Sequence, residues 1–180
     1  MTCIVGLVHG SRVYIGGDSC GAAVERYDVV SRKDPKVFKV GKFLFGYTSS
    51  FRMGQLIRFS FKPPKNDCKN DYEYLCTKFV DEIRSVYKNG GYLTVDNSVE
   101  TGGIFLLGYN GQLYTVEDDF DVGMANLEYY SIGAGANYAL GAMYQSGLTK
   151  KRPQERIKNA LDAAATFNGA VMPPYKILWV

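Results

Sequence analysis

Thr2 is the residue of this 180-residue chain whose type and place suggest chemistry. Once Met1 is removed, one residue carries both a hydroxyl nucleophile and a free α-amine. The ordinary pKa of such an amine is about 7.7–8.0, so a useful fraction is neutral at pH 7. The amine can then take the hydroxyl proton, as in the threonine variant of nucleophilic catalysis. Asp18 and Lys36 add a carboxylate and an ammonium further along. Taken singly, each has an ordinary explanation. Thr2 fits a strand, Asp18 fits a turn after Gly16-Gly17, and Lys36 fits a solvated surface.

Other chemistries find less support. None of Cys3, Cys20, Cys68 and Cys76 lies in a CxxC pair, and the one histidine is His9. That argues against a zinc site, and no metal or cofactor is expected. Gly133-Ala134-Gly135-Ala136-Asn137 resembles a dinucleotide loop, but Tyr138 stands where the third glycine belongs. A tightly packed helix entry explains it better. Cys3 is expected to face the core, on the opposite face of the strand from Thr2. Cys20 has no base beside it, and His9 sits in a turn.

The formal net charge is only +3, and no basic residues interleave with the aromatics. Nucleic acid is therefore not an expected partner. Arg32, Lys33, Lys39 and Lys42, with Lys150-Lys151-Arg152, read as solvated surface. No apolar run approaches the roughly 20 residues of a membrane span. With no signal-peptide pattern either, the expected compartment is the cytoplasm, with reduced thiols.

Hydrophobic residues make up 46% and charged residues 22%, which suits one domain over 1–180 with a sizeable core. Met1 to Val8, with Thr2 at the start, and Arg12 to Asp18 read as strands about a tight turn at His9-Gly10-Ser11-Arg12. Gly21 to Asp34 reads as a loop with a short strand over Val24 to Val30. Lys36 to Val40 and Phe43 to Tyr47 form a second strand pair, with Phe43 to Phe45 buried on both faces. Thr48-Ser49-Ser50 offers an N-cap to a helix from Phe51. A longer helix follows from Asp71 to Tyr87, ended by Asn89-Gly90-Gly91.

Tyr92 to Thr101 gives no clear pattern. Asn110-Gly111 marks a hairpin between Gly103–Tyr109 and Gln112–Val116. Glu117 to Glu128 is an acidic connector, and Tyr129 to Gly133 a short strand. Helices follow from Asn137 and from Pro153. Ala170-Val171 and Tyr175 to Trp179 close the chain as strands. Hairpins alternate with helix pairs, which favours antiparallel sheets under helix layers over a doubly wound parallel sheet.

Thr2 with its apolar strand, Gly16-Gly17-Asp18, Lys36-Val37-Phe38, Gly46-Tyr47-Thr48-Ser49-Ser50 and Ser131-Ile132-Gly133-Ala134-Gly135 resemble, in that order, proteasome β-type subunits and the HslV peptidases. The ordered set spans nearly the whole chain. The resemblance implies an α+β fold, the four-layer αββα sandwich of N-terminal nucleophile hydrolases. It implies Thr2 as nucleophile, Asp18 and Lys36 beside it, and the backbone of Ser49 and Ser50 facing the oxyanion.

Three departures accompany it. Serines stand where the family usually has glycine in that turn. Ala134 replaces a serine, and Ala165 to Gly169 lacks the late carboxylate. Thr166 and Asn168 are the available hydrogen-bond partners there. The function implied is a threonine-type peptidase acting in a homo-oligomeric ring on unfolded polypeptide. The chain has no GxxxxGK[ST] loop, so a separate ATP-dependent unfoldase would feed it. The alternatives are a non-catalytic scaffold or assembly subunit, and an amidase acting on a small amide.

Overall fold

A computed structural model describes residues 2–23, 28–148 and 151–180. Met1, the start of the strand expected over Val24 to Val30, and Lys150 lie outside these residues. The chain begins with β1 (Ile4–His9), β2 (Arg12–Gly17), β3 (Cys20–Ala23), β4 (Asp28–Ser31), β5 (Val37–Val40) and β6 (Phe43–Tyr47). Helix α1 (Phe51–Ser60) follows, then α2 (Asp71–Tyr74), which runs through a π-helical turn, Leu75–Phe79, into α3 (Val80–Asn89). Next come β7 (Thr94–Asp96), β8 (Val99–Thr101), β9 (Phe105–Tyr109), β10 (Gln112–Val116), β11 (Val122–Gly123) and β12 (Tyr129–Ile132). Helices α4 (Ala136–Gly147) and α5 (Pro153–Phe167) lead to β13 (Lys176–Trp179).

Two antiparallel sheets carry the molecule, in strand order β12-β1-β2-β13 and β11-β10-β9-β6-β5. Side chains alternate along each strand and so feed different layers. On β1, Ile4 faces the second sheet, while Val5 and Leu7 face α4 and α5. On β2, Val13 and Ile15 lie between the sheets and Tyr14 lies under the helices. Leu44, Leu106 and Leu113 meet them from the other sheet. Phe43, Phe45, Phe105 and Tyr109 point away, into the layer of α1 and α3. Phe43 stacks on Tyr109 with ring centroids 4.4 Å apart. Burying each such side chain is worth about 1.5–3 kcal/mol. The order of layers is αββα, as the resemblance implies.

Local chemistry sets the joints. Asn110 and Gly111 take φ of 47° and 77°, the left-handed pair a two-residue hairpin turn needs. The Ser50 hydroxyl accepts from the Arg52 N–H at 3.1 Å and caps α1. A Cβ on Gly16 would lie 2.4 Å from Ile157 Cγ2, so α5 rests directly on β2 two residues before Asp18.

Two readings need correction, and one segment without a reading takes shape. The segment from Gly21 to Asp34, expected to be a loop with one short strand over Val24 to Val30, belongs to the hairpin β3–β4, with Cys20 opposite Ser31; β4 overlaps the expected strand and β3 was not expected. All four residues of β4 are exposed. Tyr92 to Thr101 holds the hairpin β7–β8, turning through Asn97 and Ser98 at φ of 47° and 69°. Ala170-Val171 is not a strand. Both residues are buried, and Val171 donates its N–H to the Asn168 carbonyl at 3.1 Å. Burial there produces the apolar pattern that strand pairing would also produce. No helix among the described residues is long and apolar enough to cross a membrane.

Candidate active site

The register of the first hairpin brings the site together. Ile4 pairs with Gly17, so Thr2 and Cys3 lie across from Asp18. The Asp18 N–H donates to the Cys3 carbonyl at 3.3 Å and extends the ladder past β2. Lys36 enters β5 and is held by its carbonyl, which accepts from the Tyr47 N–H at 3.1 Å.

Thr2 Oγ1 donates to Asp18 Oδ1 at 2.5 Å. The Lys36 ammonium donates to Thr2 Oγ1 and, at 2.9 Å, to Asp18 Oδ1. Two main-chain donors complete the carboxylate shell: Cys3 N–H to Oδ1 at 3.0 Å and Cys20 N–H to Oδ2 at 2.8 Å. Thr2, Asp18 and Lys36 are 1%, 3% and 3% exposed. Burial lowers the Lys36 pKa from its ordinary 10.5, and the Asp18 charge opposes that fall. The three expected side chains are therefore in mutual contact.

A pocket of about 90 Å³ opens before them, bounded by Thr2, Lys36, Tyr47 and residues 48–51. The Phe51 ring forms one wall. It lies 5.7 Å from Lys36 Nζ and carries the Arg32 guanidinium 3.7 Å from its centroid. Arg32 is bound to both Asp34 oxygens at 2.9 and 2.7 Å, which holds the Asp34 carboxyl below its ordinary range.

Of the two expected oxyanion donors, one is engaged elsewhere. The Ser50 N–H donates to the Thr48 carbonyl at 2.8 Å, because the chain folds back there to start α1. The Ser49 N–H has no acceptor among the described residues.

On the other side, Gly133 takes φ of 93° against Thr2. A Cβ there would lie 2.5 Å from the Thr2 carbonyl oxygen. The Gly135 N–H donates to that same oxygen at 3.2 Å. Ala134 contributes its carbonyl, which accepts from Asn168 Nδ2 at 2.8 Å. Asn168 thus fastens the end of α5 to the turn that touches Thr2. Thr166 is not brought in. Its hydroxyl donates to the Asp162 carbonyl one turn back on its own helix, at 2.9 Å.

Sequence reasoning missed the Cys3 and Cys20 amides and the Phe51 wall. An acidic residue accepting from the N–H two positions on is a recurrent local pattern, so the Cys20 contact had a signal. The Phe51 contact had none. Cys3 lies in the core, its thiol pushed up to about 12 by burial. Burial and the Asp18 charge also raise Cys20. Among the described residues no cluster of three His, Cys, Asp or Glu could hold a metal ion.

The αββα layer order is that of the proteasome-type N-terminal nucleophile hydrolase fold, and solved structures with this fold superimpose on the chain. BPH from Thiobacillus denitrificans, solved in complex with epoxomicin, superimposes with a TM-score of 0.83 at 20% identity, over 99% of this chain and 98% of that one. HslV from Trypanosoma brucei gives 0.69 at 13% identity, over 99% and 98%. Anbu (ancestral beta-subunit) from Yersinia bercovieri gives 0.67 at 15% identity, over 99% and 81%. No protein-family model matches the sequence, and no curated protein matches it significantly.

Proposed function

We propose that this protein is a threonine-type peptidase whose nucleophile is Thr2, exposed by removal of Met1. The observation that carries this reading is the buried contact of the Thr2 hydroxyl with both the Lys36 ammonium and the Asp18 carboxylate. Thr2 Oγ1 attacks the carbonyl carbon of the scissile bond, and its proton passes to the Thr2 α-amine. The Lys36 ammonium favours the neutral amine and stabilises the charge developing on Oγ1. Asp18, engaged by four donors, holds Lys36 and the nucleophile strand in place. The Ser49 N–H meets the oxyanion. The C–N bond then breaks, and the departing amine takes the proton. Water hydrolyses the ester and restores Thr2.

The fold shared with HslV and with an ancestral beta-subunit supports a homo-oligomeric ring, which would act in the cytoplasm. A separate ATP-dependent unfoldase would supply unfolded polypeptide to it.

The test compares wild type with Thr2→Ala on a fluorogenic peptide, after intact mass has shown that Met1 is gone. Wild type cleaves the peptide and gains the mass of one epoxomicin; Thr2→Ala does neither. Equal turnover in the two proteins would overturn the mechanism. Ala134, which leaves the glycine turn without a hydroxyl, favours a scaffold as the second reading. A scaffold keeps Met1 and takes no inhibitor.

The pH profile follows from the two nitrogens. Activity rises with pH as the Thr2 α-ammonium loses its proton. Its ordinary pKa is about 7.7–8.0, and the Lys36 charge draws it lower. Activity falls again as Lys36 loses its charge, below the ordinary lysine value of 10.5 because burial favours the neutral form. A kcat/KM profile from pH 5 to 11 shows this bell. A flat alkaline limb would exclude a charged Lys36 from the reaction.

A further inference from the structure

Ser49 does more than present a backbone N–H. Around it the Thr48 carbonyl accepts from the Ser50 N–H at 2.8 Å, and Ser49 itself has φ of 66°. A three-residue bond about a residue of that φ is a γ-turn of the rarer, strained hand. Glycine takes this conformation freely, and serine does not. Something must therefore hold it.

The holding group is on the neighbouring segment. The Thr48 N–H donates to the Ile104 carbonyl at 3.0 Å. The Ile104 N–H in turn donates to the Ser49 hydroxyl oxygen at 3.1 Å. Residues 48 and 49 are thus tied to both polar groups of Ile104. The far jaw is itself fixed: a Cβ on Gly103 would lie 2.4 Å from Met53 Sδ and 3.0 Å from Ser49 Cβ. Thr48 and Ser50 both have partners for their N–H groups, so Ser49 carries the free donor of this turn, at the pocket that Thr2 lines.

We infer that the Ser49 hydroxyl is a positioning group, which clamps the strained turn to Ile104 and so fixes the Ser49 N–H for the oxyanion. The inference rests on the proposed Thr2 peptidase. It makes the serine in this turn a working substitute for glycine. Glycine would adopt the turn without strain but would also leave it freely; serine is locked in by its own side chain.

The experiment uses the full chain with Met1 removed, as wild type, Ser49→Ala and Ser49→Asn. Ser49→Ala lowers kcat about tenfold or more, because a loosened donor misaligns the reacting oxygen. KM stays within about twofold, since the lost interaction belongs to the transition state. Affinity for a peptide aldehyde, whose Thr2 adduct carries the oxyanion, falls in step with kcat. Affinity for the matching peptide alcohol does not change. Ser49→Asn tolerates the left-handed backbone, offers an acceptor again and recovers part of kcat.

Amide exchange at Ile104 reads the clamp without any turnover and speeds up about tenfold in Ser49→Ala. A Ser49→Ala protein with wild-type kcat and aldehyde affinity overturns the inference, and so does unchanged exchange at Ile104. Inactivity of wild type with a free Thr2 instead overturns the peptidase reading, while the exchange measurement still decides the clamp.

Discussion

Lys36→Met lowers kcat/KM on a peptide substrate roughly 10³-fold, the scale of losing a charge aimed at the reacting atom. The ammonium touches both the Thr2 hydroxyl and Asp18, and no other cation lies within hydrogen-bond reach of Thr2 Oγ1 among the described residues. The substitution also leaves the Asp18 carboxylate buried without its cation. The Cys3 and Cys20 amides still bind it, but breaking such a pair costs about 3–5 kcal/mol. Urea unfolding reads that loss. Adding Asp18→Asn removes the stranded charge and returns part of the stability, while turnover stays lost. A stable double variant that cleaves peptide at the wild-type rate would remove both residues from the mechanism.

Gly133→Ala slows turnover about 10²-fold, the cost of moving a reacting group by around 1 Å. Two effects combine at this position. The backbone at φ of 93° resists any side chain, at about 1–3 kcal/mol. The new methyl would also sit 2.5 Å from the Thr2 carbonyl oxygen and 2.9 Å from Thr2 Cγ2, so either the turn or Thr2 must move. Gly41→Ala separates the two. Gly41 has φ of 56° with nothing within 4 Å of a new Cβ. It carries the backbone cost alone and keeps full turnover. Comparing kcat and unfolding midpoints of both variants checks the argument, and equal kcat in the two would refute it.

These two sites show what was legible in the chain and why. Thr2, Asp18 and Lys36 could be named from sequence because a known order of motifs spaces them, and hairpin register does the rest. Asn110-Gly111 fixed its hairpin by local backbone preference alone. Runs of apolar, β-favouring residues on either side of turn residues announced β1, β2, β5 and β6. Of the hairpin β3–β4, the second strand overlaps the one expected over Val24 to Val30, while β3 stayed hidden because Cys20-Gly21-Ala22-Ala23 are small residues with no alternating pattern. Thr166 and Ser50 were misjudged for one reason. Both are polar groups at helix ends, and the local backbone claimed them before the site could. The role of Asn168 depends on where α5 stops relative to the glycine turn, a tertiary distance that no spacing reveals.

Cys3 and Cys20, whose amides grip Asp18 from two sides, also carry its surroundings' only thiols among the described residues. Both are sealed from solvent, and a thiol with its pKa near 12 is almost wholly un-ionised at neutral pH. An alkylating reagent therefore meets Cys76 at once and these two only when the strand ends part. The protein carries its own clock for that opening, readable by counting adducts over time without any substrate.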